Sequence, residues 1–187
     1  MRVREAFTSI WRQLRSAVAW GLINVQGADS YRRIARHFGS PFEVCEADKR
    51  DLDKVWAWLY HRPFQEVQTA RGLMTVHFAA KKGAKILGYV QLAHMSEEFG
   101  AHAGYWLYRL EVKFPYRRLG VGERLCGAVI ERARAYGAKG LSLLVREDNE
   151  PALDLYQKLG FVEIGRIPRS VREGSEYFDE HLMLMRL

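Results

Sequence analysis

Apolar residues recur at spacings of three and four over residues 3 to about 25. They are Val3, Phe7, Ile10, Trp11, Leu14, Val18 and Leu22, with Arg4, Thr8, Arg12 and Arg15 on the other face. That period predicts an amphipathic helix. A second short helix carries Tyr31, Ile34 and Phe38 behind a cap at Asp29 or Ser30, and stops at Gly39. Gly39-Ser40-Pro41 then breaks the pattern and predicts a boundary between a helical extension, residues 1–40, and a main domain, residues 41–187. Past the boundary the period switches repeatedly between 2 and 3.6. FEVCEA (42–47) predicts a strand, and 48–60, with Leu52, Val55, Trp56 and Leu59 on one face, predicts a helix. A further helix is expected over 63–71, and a hairpin over 73–95 hinged at Lys81-Lys82-Gly83. GYWLYRLEV (104–112) predicts a strand, followed by a glycine turn and a helix to about Tyr136. Strands at 141–145, 161–167 and 176–187 and a helix at 149–160 complete the chain. Strands 104–112 and 141–145 are joined through a helix, so they should run parallel with a right-handed crossover, while the hairpin and terminal strands run antiparallel. The fold class is α/β (α+β), with a mixed sheet.

Composition narrows this only a little. With 187 residues, 48% apolar and 27% charged, the chain has the make-up of a soluble globular protein. No apolar run approaches the ~18–20 residues that span a bilayer. The opening MRVREAFTSIWRQLR is interrupted by arginines, unlike a secretory signal. Cys45 and Cys126 make neither a disulfide framework nor a CxxC pair, so a cytoplasmic setting is expected. The six histidines (37, 61, 77, 94, 102, 181) lack metal-ligand spacing, and no metal is expected. His94 and His102 fall at strand ends near the acceptor side, with a surface or core role expected. The formal charge of +7 is concentrated, with +5 of it in residues 1–40. The body is therefore nearly balanced, and no nucleic-acid partner is expected.

The most informative stretch is PYRRLGVGERL (115–125), where two glycines stand at the start of a helix. Glycine costs a helix interior roughly 0.8–1.0 kcal/mol against alanine, so a bare backbone must be needed there. A helix N-terminus presents unpaired N–H groups and the positive end of the dipole, which suits an anion. The stretch is not a Walker loop, because no Lys-Ser or Lys-Thr follows. A dinucleotide fingerprint fails as well, because Leu125 stands where its third glycine belongs.

Arg117-x-x-Gly120-x-Gly122 is followed by Asn149-x-x-Ala152-x-x-x-Tyr156-x-x-x-Gly160-Phe161. This pair of motifs, around a strand–helix–strand–helix core, resembles the GNAT superfamily of acyl-CoA-dependent N-acyltransferases, in element order over 42–187 and most sharply over 104–163. The resemblance implies a GNAT fold: a mostly antiparallel sheet with a central, splayed parallel pair. It also implies acetyl-CoA as cosubstrate, with the backbone amides of Arg117, Arg118, Leu119, Gly120, Val121 and Gly122 holding the pyrophosphate. The pantetheine arm would lie in the slot between the splayed strands, against Leu110, Glu111, Val112 and Lys113, with Asn149 beside it. Asn149 serves equally well as a plain helix cap.

The resemblance further implies direct transfer of an acetyl group to a primary amine, with Tyr156 as general acid to the leaving sulfur. The alternative for Tyr156 is a core tyrosine of an amphipathic helix. The oxyanion would meet a backbone N–H near Val112. Glu111, an acid in an apolar strand, is the candidate base; the alternative is an ion pair with Arg109. The ribosomal-protein alanine acetyltransferase branch keeps a glutamate base in the strand equivalent to 141–145, where this chain has Leu144. Cys126 is expected to be a small core residue, and Trp56, Trp58 and Trp106 core aromatics. The acceptor is an amine-bearing small molecule or protein, its specificity residing in residues 61–72, 95–104 and 166–177. A non-catalytic acyl-CoA sensor is the alternative function. The extension is expected to pack on the domain or across a homodimer, ahead of membrane contact by residues 1–25, nucleic-acid or acidic-partner binding, or a transit role.

Overall fold

The computed structural model describes residues 42–64 and 72–187. The two expected N-terminal helices and nearly all of the helix expected over 63–71 lie outside these residues; Pro63 and Phe64 are not helical.

β1 (Glu43–Glu46) leads into α1 (Lys49–Tyr60), whose first turn is capped by Asp48 accepting from the Asp51 N–H at 2.8 Å. The cap N–H bond holds the Asp48 carboxyl below its usual range. β2 (Leu73–Lys82) and β3 (Lys85–Met95) form the hairpin, turning at Gly83-Ala84 one step later than the expected hinge. β4 (Gly104–Val112), α2 (Val121–Ala135), β5 (Gly140–Arg146) and α3 (Glu150–Leu159) follow, and β6 (Val162–Glu173) and β7 (Glu176–Arg186) close the chain. The sheet order is β1-β2-β3-β4-β5-β7-β6, parallel between β4 and β5 and antiparallel at the other pairings.

β6 runs past its expected end at Ile167. It continues through Pro168 because β6 is the edge strand, where a missing N–H costs no ladder bond. The register shift between Ile167 and Val171 absorbs the proline. The segment expected to be a specificity loop, 166–177, is therefore largely hairpin.

The sheet has two covered faces. A Cβ added at Gly88 would meet Leu125 and Val121 of α2, so that direction of β3 faces α2. Tyr89 points the other way and joins Leu52 and Val55 of α1 in a buried cluster. α1 is also tied down by the 2.8 Å ion pair of the buried Asp51 with Lys81, whose pKa that bond raises. Cys126 is fully buried in α2, and burial pushes its thiol up to about 12, which leaves it inert as expected.

Candidate active site

β4 and β5 pair only at Tyr105–Leu141 and Trp106–Ser142, then part. The parting opens a cleft of about 210 Å³. One wall is Leu107 to Leu110 of β4, the other Leu144 to Arg146 of β5, with Asn149 and Tyr156 of the α3 segment at its base. Leu144 lines this cleft as an apolar group.

The glycine turn lies where β4 runs into α2. Gly120 is the N-cap residue of α2, with φ of 77° and no atom within 4 Å of an added Cβ. Only glycine adopts that left-handed backbone freely, and the space beside it is open. The first intrahelical bond runs from the Arg124 N–H to the Gly120 carbonyl at 3.0 Å. The amides of Val121, Gly122 and Glu123 thus have no carbonyl one turn back to bond. Arg118 is exposed, with a left-handed φ of 62°. Arg117 does something the motif does not announce: its Nε donates to the Val112 carbonyl at 3.0 Å and fastens the turn to the end of β4.

Gly122 differs from Gly120. A Cβ there would lie 3.3 Å from Leu155 Cδ2, 3.8 Å from Val112 Cγ2 and 3.9 Å from Leu110 Cδ2. Its missing side chain lets α2 approach α3 and β4, rather than opening room for a ligand. The two glycines thus differ: the space beside Gly120 is open, and that beside Gly122 is filled by Leu155, Val112 and Leu110. Gly122→Val should overpack this junction and cost about 1–3 kcal/mol, read as a lower denaturation midpoint. An unchanged midpoint would remove the packing role.

Asn149 starts α3 through its backbone, its carbonyl accepting from Ala152 and Leu153 at 3.0 Å each. Its side chain makes no cap bond and lines the cleft. Tyr156 is 6% exposed and packs edge-on against Phe161, with ring centroids 5.7 Å apart. Burial raises its phenol pKa, and the nearby Cys126 and Glu111 raise it further, so the hydroxyl keeps its proton at neutral pH. Glu111 stands opposite Tyr89 in the β3–β4 register and is half-buried. Leu110 and Val112 point to the α2 face, beside Gly122, whereas Arg109 reaches Tyr60 of α1.

Arg109 is bonded to the Tyr60 hydroxyl at the end of α1 and lies over that ring at 5.5 Å. It sits in a bulge: Arg109 and Leu110 face the single residue Val90, and Arg109 has φ of 55°. Behind it, His77 and Tyr89 share a 2.6 Å hydrogen bond on neighbouring strands. Burial first and the Arg109 cation second depress the His77 pKa, so its ring is neutral. Burial pushes the Tyr89 phenol up. This Tyr60–Arg109–Tyr89–His77 wall escaped the sequence reading. Alternation in β2 and β3 could have put His77 and Tyr89 on one face, but their pairing depends on a register that no residue type declares. The expected acceptor-side histidines lie elsewhere. His94 lies tilted against Tyr105 with ring centroids 4.4 Å apart, and the His102 carbonyl accepts from Trp106 Nε1 at 2.7 Å, both at the closed end of β4. Among the described residues no group of three or more His, Cys, Asp and Glu could hold a metal ion, and no helix is long and apolar enough to cross a membrane.

This geometry can be set beside known proteins. An N-alpha-acetyltransferase of Sulfurisphaera tokodaii is 38% identical over 64 residues, 34% of this chain and 38% of that one. An L-methionine sulfoximine/L-methionine sulfone acetyltransferase of Pseudomonas aeruginosa is 27% identical over 137 residues, 73% of this chain and 75% of that one. An uncharacterized Mycobacterium leprae protein is 42% identical over 65 residues, and this chain spans only 17% of its length. Among solved structures, an acetyltransferase of Salmonella typhimurium with its cofactor acetyl-CoA superposes with a TM-score of 0.63 at 16% identity, covering 79% of this chain and 94% of that one. The fold is therefore shared. The profile of the acetyltransferase (GNAT) family matches residues 32–161, from ahead of β1 through the glycine turn and the Asn149–Tyr156 helix, and the chain belongs to that family.

Proposed function

We propose that the protein is an acetyl-CoA-dependent N-acetyltransferase that moves an acetyl group directly to a primary amine in a ternary complex. The observation that carries this reading is the parting of β4 and β5, which leaves a cleft with the protonated Tyr156 at its base. The residues suit acetyl-CoA. The α2 amides after Gly120 have no intrahelical acceptor, the space at Gly120 is open, and Arg118 adds positive charge for a pyrophosphate. Leu110, Glu111, Val112 and Asn149 would line the arm, and Leu119 belongs to the pyrophosphate turn. Acetyl-CoA, when bound, supplies the acetyl group as a reactive thioester. Tyr156 Oη donates a proton to the departing sulfur. Glu111 takes the proton of the attacking amine, directly or through a water. The relatives named for N-alpha-acetylation and for acetylating an amino-acid analogue support an amine acceptor.

The test is release of free thiol from acetyl-CoA across a panel of primary amines. Release dependent on one class of amine is expected. Tight coenzyme binding with no release for any amine would replace the enzyme with a binding module.

The basic residues 1–40 are proposed to contribute to the stability or self-association of a cytoplasmic protein. Deleting residues 1–38 should lower the melting temperature or change the oligomer mass. Flotation of the intact chain with anionic liposomes would overturn this.

A further inference from the structure

We infer that Arg109 binds a carboxylate on the acceptor, so that the preferred acceptor is a free amino acid or close analogue, with its carboxylate next to the amine. The inference rests on the acetyl-transfer reading and narrows its substrate class.

The approach route comes first. α2 and α3 lie side by side on one face of the sheet, joined by the Gly122–Leu155 contact and the 2.7 Å Lys158–Glu123 pair. A cosubstrate anchored at the α2 N-terminus and running into the cleft fills it from that side. The second reactant must then come from the face that carries α1, and there it meets Arg109 and Tyr60.

Two guanidiniums line the cleft, and they are not equivalent. Arg146 is used up inside the protein. It donates to Asp148 at 2.8 and 2.5 Å and to Glu173 at 2.7 Å, and lies 4.0 Å over the Phe178 ring. Arg109 is held by a neutral group, the Tyr60 ring and hydroxyl, and among the described residues no carboxylate forms an ion pair with it. Tyr60 fixes the guanidinium without neutralising it and leaves N–H donors over.

The backbone makes the same distinction. A left-handed φ at an arginine is uncommon, and bulges beside active sites re-aim side chains. Arg109 faces the acceptor side, where it meets Tyr60, and the inner wall, a neutral His77 and a protonated Tyr89, offers it no anion. A fixed guanidinium with spare parallel donors suits a carboxylate and repels a second cation, which disfavours polyamines and lysine side chains.

The experiment compares kcat/KM for a panel of L-amino acids and L-methionine sulfone, each beside its own amide, which keeps the amine and loses the charge. The wild-type protein should prefer the acid to the amide by about 10- to 100-fold for the accepted side chain. Arg109→Gln should bring that ratio to about one, and Arg109→Lys should leave it in between, with an acetyl-CoA melting shift showing each variant folded. Amides used as well as acids, a peptide N-terminus preferred to every acid, or an unchanged ratio in Arg109→Gln would each overturn the assignment while leaving acetyl transfer standing. Thiol release only with polyamines or lysine side chains would also overturn the assignment alone, whereas release with no primary amine at all would remove the acetyl-transfer reading, and this assignment with it.

Discussion

Replacing Gly120 by glutamate is expected to abolish the rise in melting temperature that acetyl-CoA gives the wild-type protein. At a ligand concentration of about 100 Kd, binding to the folded state contributes about 2.7 kcal/mol. For a domain of this size that corresponds to a shift of about 5–10 °C. The glutamate would project into space that is open in the structure, and would set a negative charge at the N-terminal amides of α2. Its left-handed φ also strains any residue with a Cβ, so the unliganded variant should melt somewhat lower than wild type. The two effects separate cleanly, since strain lowers both baselines and only the lost site removes their difference. A folded variant that keeps the full shift would dissociate the glycine turn from the coenzyme.

Tyr156→Phe is expected to lower kcat by about 100- to 1,000-fold while changing the KM for acetyl-CoA little. The ring packs on Phe161 with or without its hydroxyl, so stability should hold. The phenol is buried and its pKa raised, so it holds a proton throughout the neutral range, and the wild-type rate should not fall through its ionisation below about pH 10. The sign follows from burial: the folded state keeps the proton that an unfolded tyrosine loses first, so any stability cost of this group appears only on the alkaline side. An unchanged kcat would return Tyr156 to the core.

What the sequence made legible, and what it did not, follows from the range of each interaction. Strands, helices and the parallel β4–β5 pair are written in local periodicity, and the turn before α2 in a short motif. The bulge at Arg109 is not, because LYRLEV reads as unbroken alternation and the extra residue exists only relative to β3. The Arg109–Tyr60 contact joins residues 49 apart in sequence, and the link from Arg146 to Glu173 joins residues 27 apart. Gly122 shows a further limit. A motif names a glycine but not which neighbour needs it small, and here the answer is Leu155 on another helix. The end of β6 shows the same limit, because whether a strand continues through Pro168 depends on its lying at the sheet edge.

The central claim, that acetyl-CoA lies in the β4–β5 cleft with its pyrophosphate on the start of α2, is tested most directly by amide hydrogen exchange with and without the coenzyme. Slowed exchange is expected in peptides covering Glu111–Lys113 and Leu119–Glu123, with smaller changes along Leu144–Arg146 of β5. Tight binding that leaves both segments unprotected and slows exchange elsewhere would contradict it.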